Sequence, residues 1–168
     1  NVWTDDIDDV PVTVRLGGQA VFVNSFINGP MNVDASSSVV SINNTFCGGG
    51  IYLSSCDAGG TSNKVINNIF SLTNGGIYGS NVYGTGNCNL QGGNSSNIRN
   101  NLIWRNKDAT ACDKNEICNF TGKVEGDPLY ENIPGECAYG DVGIVGWAHN
   151  YHLKDGSPGK TAGDPSIG

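Results

Sequence analysis

Charge is scarce in this chain. Asp, Glu, Lys and Arg make up 15% of its 168 residues, with a formal net charge of −7. The nine Lys and Arg are scattered without a cluster. The basic surface that phosphate binding needs is therefore missing, which argues against nucleic acid as a partner. No apolar run approaches the length of a membrane span. No segment of ten or more residues carries apolar positions at helical spacing. An initiator Met and a signal peptide are absent too. The chain begins Asn1-Val2-Trp3, as expected of a processed product or a segment of something longer.

What is present is Gly, at 25 residues, with abundant Asn and Ser breaking up short β-branched runs. That texture predicts an all-β chain. Three of the runs repeat one another: Ser41-Ile42-Asn43-Asn44-Thr45-Phe46, Val65-Ile66-Asn67-Asn68-Ile69-Phe70 and Ile98-Arg99-Asn100-Asn101-Leu102-Ile103. A fainter copy is Val21-Phe22-Val23-Asn24-Ser25-Phe26. Each places an Asn two residues before a large apolar residue (Asn24, Asn44, Asn68, Asn101), at intervals of 20, 24 and 33 residues. A loose period fits a fixed core turn with variable loops. A second marker, Gly49-Gly50-Ile51-Tyr52, returns as Gly75-Gly76-Ile77-Tyr78, with Asn28-Gly29-Pro30-Met31 at the corresponding earlier place. One such unit cannot bury its apolar side alone, whereas stacked units bury a continuous core.

Six Cys without CxxC spacing predict disulfides and an oxidising compartment. Cys47 with Cys56 and Cys112 with Cys118 could close loops, leaving Cys88 and Cys137, although six Cys permit 15 complete pairings. Zinc is the competing reading, but there are only two His and neither lies near a Cys pair. Sequons place N-glycosylation candidates at Asn43, Asn94 and Asn119. Asn43 is expected to point outward if Asn44 points inward.

Near the end, Gly126-Asp127-Pro128-Leu129-Tyr130 is followed by Tyr151-His152-Leu153-Lys154-Asp155-Gly156-Ser157-Pro158 and then Ala162-Gly163-Asp164-Pro165. With the Asn-Asn-x-apolar turns, this pattern resembles secreted right-handed parallel β-helix proteins of the pectate-lyase-like superfamily, over roughly residues 20–168. The chain has Gly159-Lys160-Thr161 where Ala-Ile-Asp is usual in that family. The resemblance implies one domain over 1–168, with coils over 12–130, long side loops, and an irregular C-terminal tail over 131–168 packing on the last coils. It speaks for fold and not for chemistry. In such a coil, equivalent residues stack about 4.8 Å apart. Asn24, Asn44, Asn68 and Asn101 would then form an inward ladder, each amide supplying donors and an acceptor. Phe26, Phe46 and Phe70 would form an aromatic row continued by Ile103, and Met31, Ile51 and Ile77 a second row. In the fourth copy Arg99 takes the place held by Phe22, Ile42 and Ile66. Ile98 must then supply the apolar contact, and a bulge or an altered turn is expected there.

The resemblance also implies what an enzyme would need. A lyase of this fold uses a Lys or Arg base beside acidic groups or a metal, and a hydrolase uses grouped Asp. Here Asp34 and Asp57 are isolated. Asp108, Asp113 and Glu116, in the loop with Cys112 and Cys118, are weak calcium candidates beside a reading as a solvated loop; Asp5, Asp6, Asp8 and Asp9 have the same two readings. His149 and His152 could do acid–base work or simply face solvent. Tyr52 and Tyr78, with Trp104 and Arg105, are candidates for a glycan-contacting face, or a cross-strand pair that stabilises the sheet. The function expected is an extracellular structural or adhesive module that self-associates through coil ends or contacts glycans, without catalysis of its own. The alternative is a fragment of a polysaccharide lyase or glycoside hydrolase.

Overall fold

The computed structural model describes residues 3–4, 12–34, 36–47, 50–53, 63–71, 77–79, 97–104, 121–132, 150–164 and 166. Within these residues the chain is almost entirely strand. It lays down β1 (Trp3–Thr4), β2 (Val12–Val14), β3 (Gln19–Val23), β4 (Phe26–Asn28), β5 (Met31–Val33) and β6 (Ser38–Ile42). There follow β7 (Thr45–Cys47), β8 (Ile51–Leu53), β9 (Lys64–Ile66), β10 (Ile69–Ser71) and β11 (Ile77–Gly79). The last elements are β12 (Ile98–Arg99), β13 (Leu102–Trp104), β14 (Val124–Glu125), β15 (Tyr130–Asn132), β16 (Asn150–Leu153) and a single helical turn, α1 (Pro158–Thr161).

The strands are dealt to three sheets in rotation. Sheet A runs β1-β4-β7-β10-β13-β14, sheet B runs β2-β5-β8-β11, and sheet C runs β3-β6-β9-β12. Pairing within all three is parallel; among the described residues only β15 and β16 pair antiparallel. Strands of three residues suffice because each is hydrogen-bonded to its counterpart from the repeat before and the repeat after. The composition-based expectation of an all-β chain is met, with parallel sheets throughout the repeats.

Register makes the core from three sets of stacked rows. In sheet A, Ile27, Phe46, Phe70 and Ile103 are aligned. In sheet B, Val12, Met31, Ile51 and Ile77 form one row and Val14, Val33 and Leu53 another. In sheet C the row is Phe22, Ser41, Val65 and Ile98. Most of these residues belong to one buried cluster. Phe46 and Phe70 stack with ring centroids 4.8 Å apart and planes inclined by 14°, a contact worth about 0.5–1.5 kcal/mol beyond burial.

Three expectations need correction. The first copy of the motif is aligned one residue later than its asparagine suggests. Phe26 lies opposite Thr45, and Ile27, not Phe26, joins the row of Phe46. Phe22 lies opposite Ser41 and not Ile42. Finally, there is no bulge at Arg99: Ile98 and Arg99 pair straight onto Val65 and Ile66. Ile98 does supply the buried contact. Arg99 needs no bulge because strand alternation places its side chain on the face opposite Ile98, outside the core cluster, where its guanidinium meets Asp164.

The tail covers sheet A. Tyr130 is buried, and its hydroxyl hydrogen-bonds the Ser71 hydroxyl. A built Cβ on Gly159 would stand 3.0 Å from Leu153 Cδ1 and 3.4 Å from Ile69 Cδ1, so glycine lets α1 sit close to β10. Local sequence explains the path. Asp127 Oδ1 accepts the Leu129 N–H at 2.7 Å across Pro128, an Asx-type turn. Ser157 Oγ accepts the Gly159 N–H at 3.1 Å, with Pro158 opening the helical turn. No helix among the described residues is long and apolar enough to cross a membrane.

Candidate functional site

The most elaborate polar feature is the corner between sheets C and A. In every repeat the chain turns there through one residue in the left-handed region: Asn24, Asn43, Asn67 and Asn100 have φ of 52°, 56°, 57° and 56°, and Gly122 has φ of 69°. Asn tolerates this conformation better than most side chains, and Gly adopts it without cost. After each of the four asparagines the next residue (Ser25, Asn44, Asn68, Asn101) turns inward and is buried. The double asparagine thus divides its labour. The first Asn makes the corner, and the second fills it.

The inward residues form a connected ladder. Asn44 Oδ1 accepts the Ser25 N–H at 2.8 Å, Asn68 Oδ1 accepts the Asn44 N–H at 3.0 Å, and Asn101 Oδ1 accepts the Asn68 N–H at 2.9 Å. Each amide also donates back to a sheet C carbonyl of the preceding repeat. Asn44 Nδ2 reaches Phe22 O at 2.8 Å, Asn68 Nδ2 reaches Ser41 O at 2.9 Å, and Asn101 Nδ2 reaches Val65 O at 2.8 Å. The Ser41 hydroxyl accepts from Asn44 Nδ2 and donates to Asn68 Oδ1. Backbone groups that the sharp corner strips of sheet partners are thereby paired. Of the residues expected in this ladder, Asn44, Asn68 and Asn101 are there. Asn24 is not: it is exposed and occupies the outer row, and Ser25 starts the inner one. The cause is the shift of one residue in the first copy.

The outer row holds the tail. Asn67 Oδ1 accepts the Asp164 N–H at 2.8 Å, and Asn100 Nδ2 donates to Ala162 O at 2.9 Å. Arg99 Nε donates to Asp164 Oδ2 at 2.7 Å. The Ser166 hydroxyl, and next the Arg99 guanidinium, hold the Asp164 carboxyl at about 2, below its ordinary 3.8. Lys160 similarly lowers Asp155. Beside these contacts lies a cleft of 330 Å³ lined by Asn43, Thr45, Asn67, Ile69, His152 and Leu153, among others. Sequence reading missed this cleft, because it forms between the repeats and a segment more than a hundred residues later than Asn43.

The aromatic candidates are divided. Tyr52 and Tyr78 are register partners in sheet B, and Tyr52 is half-buried. Trp104 is half-buried on β13 in sheet A, opposite Ser71, so the topology places it on another sheet from the tyrosines. Only the backbone of Tyr78 is described. Arg105 lies outside the described residues, as do the calcium candidates Asp108, Asp113 and Glu116, and also Asp57 and His149. Asp5, Asp6, Asp8 and Asp9, and the sequon asparagines Asn94 and Asn119, lie outside them too. Cys47 is described only in its backbone, on β7, and Cys56, Cys88, Cys112, Cys118 and Cys137 are not described. Asn43 is exposed. Asp34 is not idle: its carboxylate accepts the N–H groups of Leu16 and Ser36 at 3.0 and 3.1 Å. It thereby ties down a turn in which Leu16 has φ of 60° and stands 96% exposed.

Comparison with protein-family models, with curated proteins and with solved structures returns no match.

Proposed function

We propose that this chain is an extracellular structural or adhesive module built as a right-handed parallel β-helix, without catalysis of its own. The rotation of strands through three parallel sheets supports the helical path, and the strong bias of parallel crossovers supports the right hand. Its affinity with the pectate-lyase-like superfamily rests on the tail phrases and the Asn-Asn turns. Secretion rests on the six cysteines, which form disulfides, and on the sequons, of which Asn43 carries a glycan. Such a module self-associates through its coil ends or contacts glycans.

One observation carries the structural reading: apart from the exposed Asn24 and Asn43, the asparagines of the corner and Arg99 are committed to holding the repeats and the tail together. Asn44, Asn68 and Asn101 bind the neighbouring repeat, while Asn67, Asn100 and the Arg99–Asp164 pair bind the tail. An acid–base or sugar-cleaving centre needs such groups aimed at a substrate. Intact mass spectrometry and electron microscopy of one native preparation test the reading. Ordered assemblies carrying extra mass at Asn43 are expected. A monomer that releases new chain ends from a polysaccharide would overturn it and favour the lyase or hydrolase alternative.

A further inference from the structure

The cleft beside the corner is lined by an exposed asparagine that begins a sequon, Asn43-Asn44-Thr45. Thr45, Ile69 and Leu102, register partners in sheet A, line it along the repeats. It therefore runs about 10 Å along the stack. The tail supplies further lining through His152, Leu153 and Gly159. Its 330 Å³ lies at the small end of ligand sites, which run to about 300–1,000 Å³. The described course of the tail passes beside this space. Ala162 and Asp164 bind the corner amides of Asn100 and Asn67, and Asp164 reaches back to Arg99 on sheet C. The cleft lies on the other flank of the corner, against sheet A.

The lining sets the chemistry of an occupant. No Asp, Glu, Lys or Arg is among the lining residues, so a charged group would have no partner of opposite sign there. Ile69, Leu102 and Leu153 offer apolar contact. Asn67 spends its Oδ1 on the Asp164 N–H, while among the described residues nothing accepts from its Nδ2. A Cβ built on Gly163 would stand 3.7 Å from that Nδ2, so glycine leaves the donor uncovered. A small neutral group with an apolar side and a carbonyl acceptor fits this set. An N-acetylated sugar has both, in its ring C–H groups, its acetyl methyl and its acetamido oxygen.

We infer that the cleft seats the first sugar, an N-acetylhexosamine, of a glycan on Asn43, and that the seated sugar fastens the tail to the repeats. The inference rests on the proposed reading for the presence of that glycan, and goes beyond it in giving the sugar a place and a structural role. The acetamido carbonyl accepts from Asn67 Nδ2, and the acetyl methyl lies against Ile69 and Leu153. Tethering makes weak contacts sufficient, because a ligand fixed at Asn43 has an effective concentration on the order of millimolar. One sugar then touches both the repeats and the tail.

The test compares three forms of the glycoprotein from its native source. One is intact, one is trimmed by an endoglycosidase to the single attached sugar, and one is stripped by an amidase that leaves a carboxylate at position 43. Asn43→Gly, which keeps the left-handed corner without sugar or charge, controls for that carboxylate. Hydrogen exchange at pH 7 should be alike over residues 150–164 in the intact and trimmed forms. It should be about tenfold faster there in the stripped form and in Asn43→Gly, with β3 and β9 unchanged. In the trimmed form, NMR should show the acetyl methyl in contact with the methyl groups of Ile69 and Leu153. Equal tail exchange in the trimmed and stripped forms, or a sugar without those methyl contacts, would overturn the inference and leave the glycan itself standing. A bare Asn43 in glycopeptide mass spectrometry would overturn both.

Discussion

Gly122 shows how much one position at the corner must satisfy. Its φ of 69° is in the left-handed region, and a Cβ built there would lie 2.8 Å from the Asn100 side chain above it. Gly122→Ala meets both penalties and should cost about 1–3 kcal/mol, read as a lower urea midpoint at unchanged slope. The inward neighbours are equally exacting. Asn68 accepts from the Asn44 N–H and the Ser41 hydroxyl and donates to Ser41 O and Asn101 Oδ1. Asn68→Ala strands a buried N–H and a buried carbonyl, each costing about 1–3 kcal/mol, so a loss of about 2–5 kcal/mol is expected by the same measurement. A loss below 1 kcal/mol would mean that water replaces the amide. The Asn-Asn pairs made this corner legible in the sequence for three copies. The first copy misled, because Val23-Asn24-Ser25-Phe26 has its single Asn in the outer row, where Asn43 and Asn67 stand, with Ser25 taking the inner place. The fifth copy, Thr121-Gly122-Lys123-Val124, went unread because Gly replaces Asn at the left-handed position and Lys replaces the inner amide. Physically the corner demands a backbone conformation first, and an amide only second.

The tail is the element whose attachment depends most on charge. Residues 158–164 make few buried contacts of their own: α1 is a single turn with no buried residue. Their anchors are the Arg99–Asp164 pair, the two outer amides and the packing of Gly159. Because the folded-state value of Asp164 is depressed to about 2 from 3.8, its contribution to tail binding is full above about pH 4. It is lost as pH falls through 2, when the carboxylate takes up its proton. Asp155, lowered by Lys160, acts in the same direction. Hydrogen exchange should therefore show residues 150–164 losing protection between pH 4 and pH 2 while β6, β7 and β10 keep theirs. Asp164→Asn should lower tail protection at pH 7 and flatten this dependence; an unchanged acid profile would remove the ion pair from the account. The tail phrases stood out in the sequence. Where they dock was not legible, because Asp164 and Asn67 are 97 residues apart and nothing in the spacing of either marks the other.

At the scale of the whole molecule, a stack of parallel repeats has a direction and two unlike ends. Among the described residues, sheet C ends on β3 at one side, while at the other β12 is followed by a parallel bridge from Arg99 to Thr121. β3 is five residues long, as long as any described strand. Of its outward residues Gln19 is polar, while Val21 and Val23 are apolar and 66% and 40% exposed. A long edge strand with apolar residues is a template for another strand, and charge on such an edge is how natural sheets prevent pairing. If the structural reading holds, Val21→Lys should therefore dissolve the assembly into monomers without unfolding it, since Val21 lies outside the buried core cluster. Sedimentation velocity distinguishes the outcomes, with far-ultraviolet circular dichroism confirming the retained sheet. Loss of the larger species with an unchanged thermal midpoint would locate subunit contact at β3. Assemblies that survive Val21→Lys intact would place the contact elsewhere.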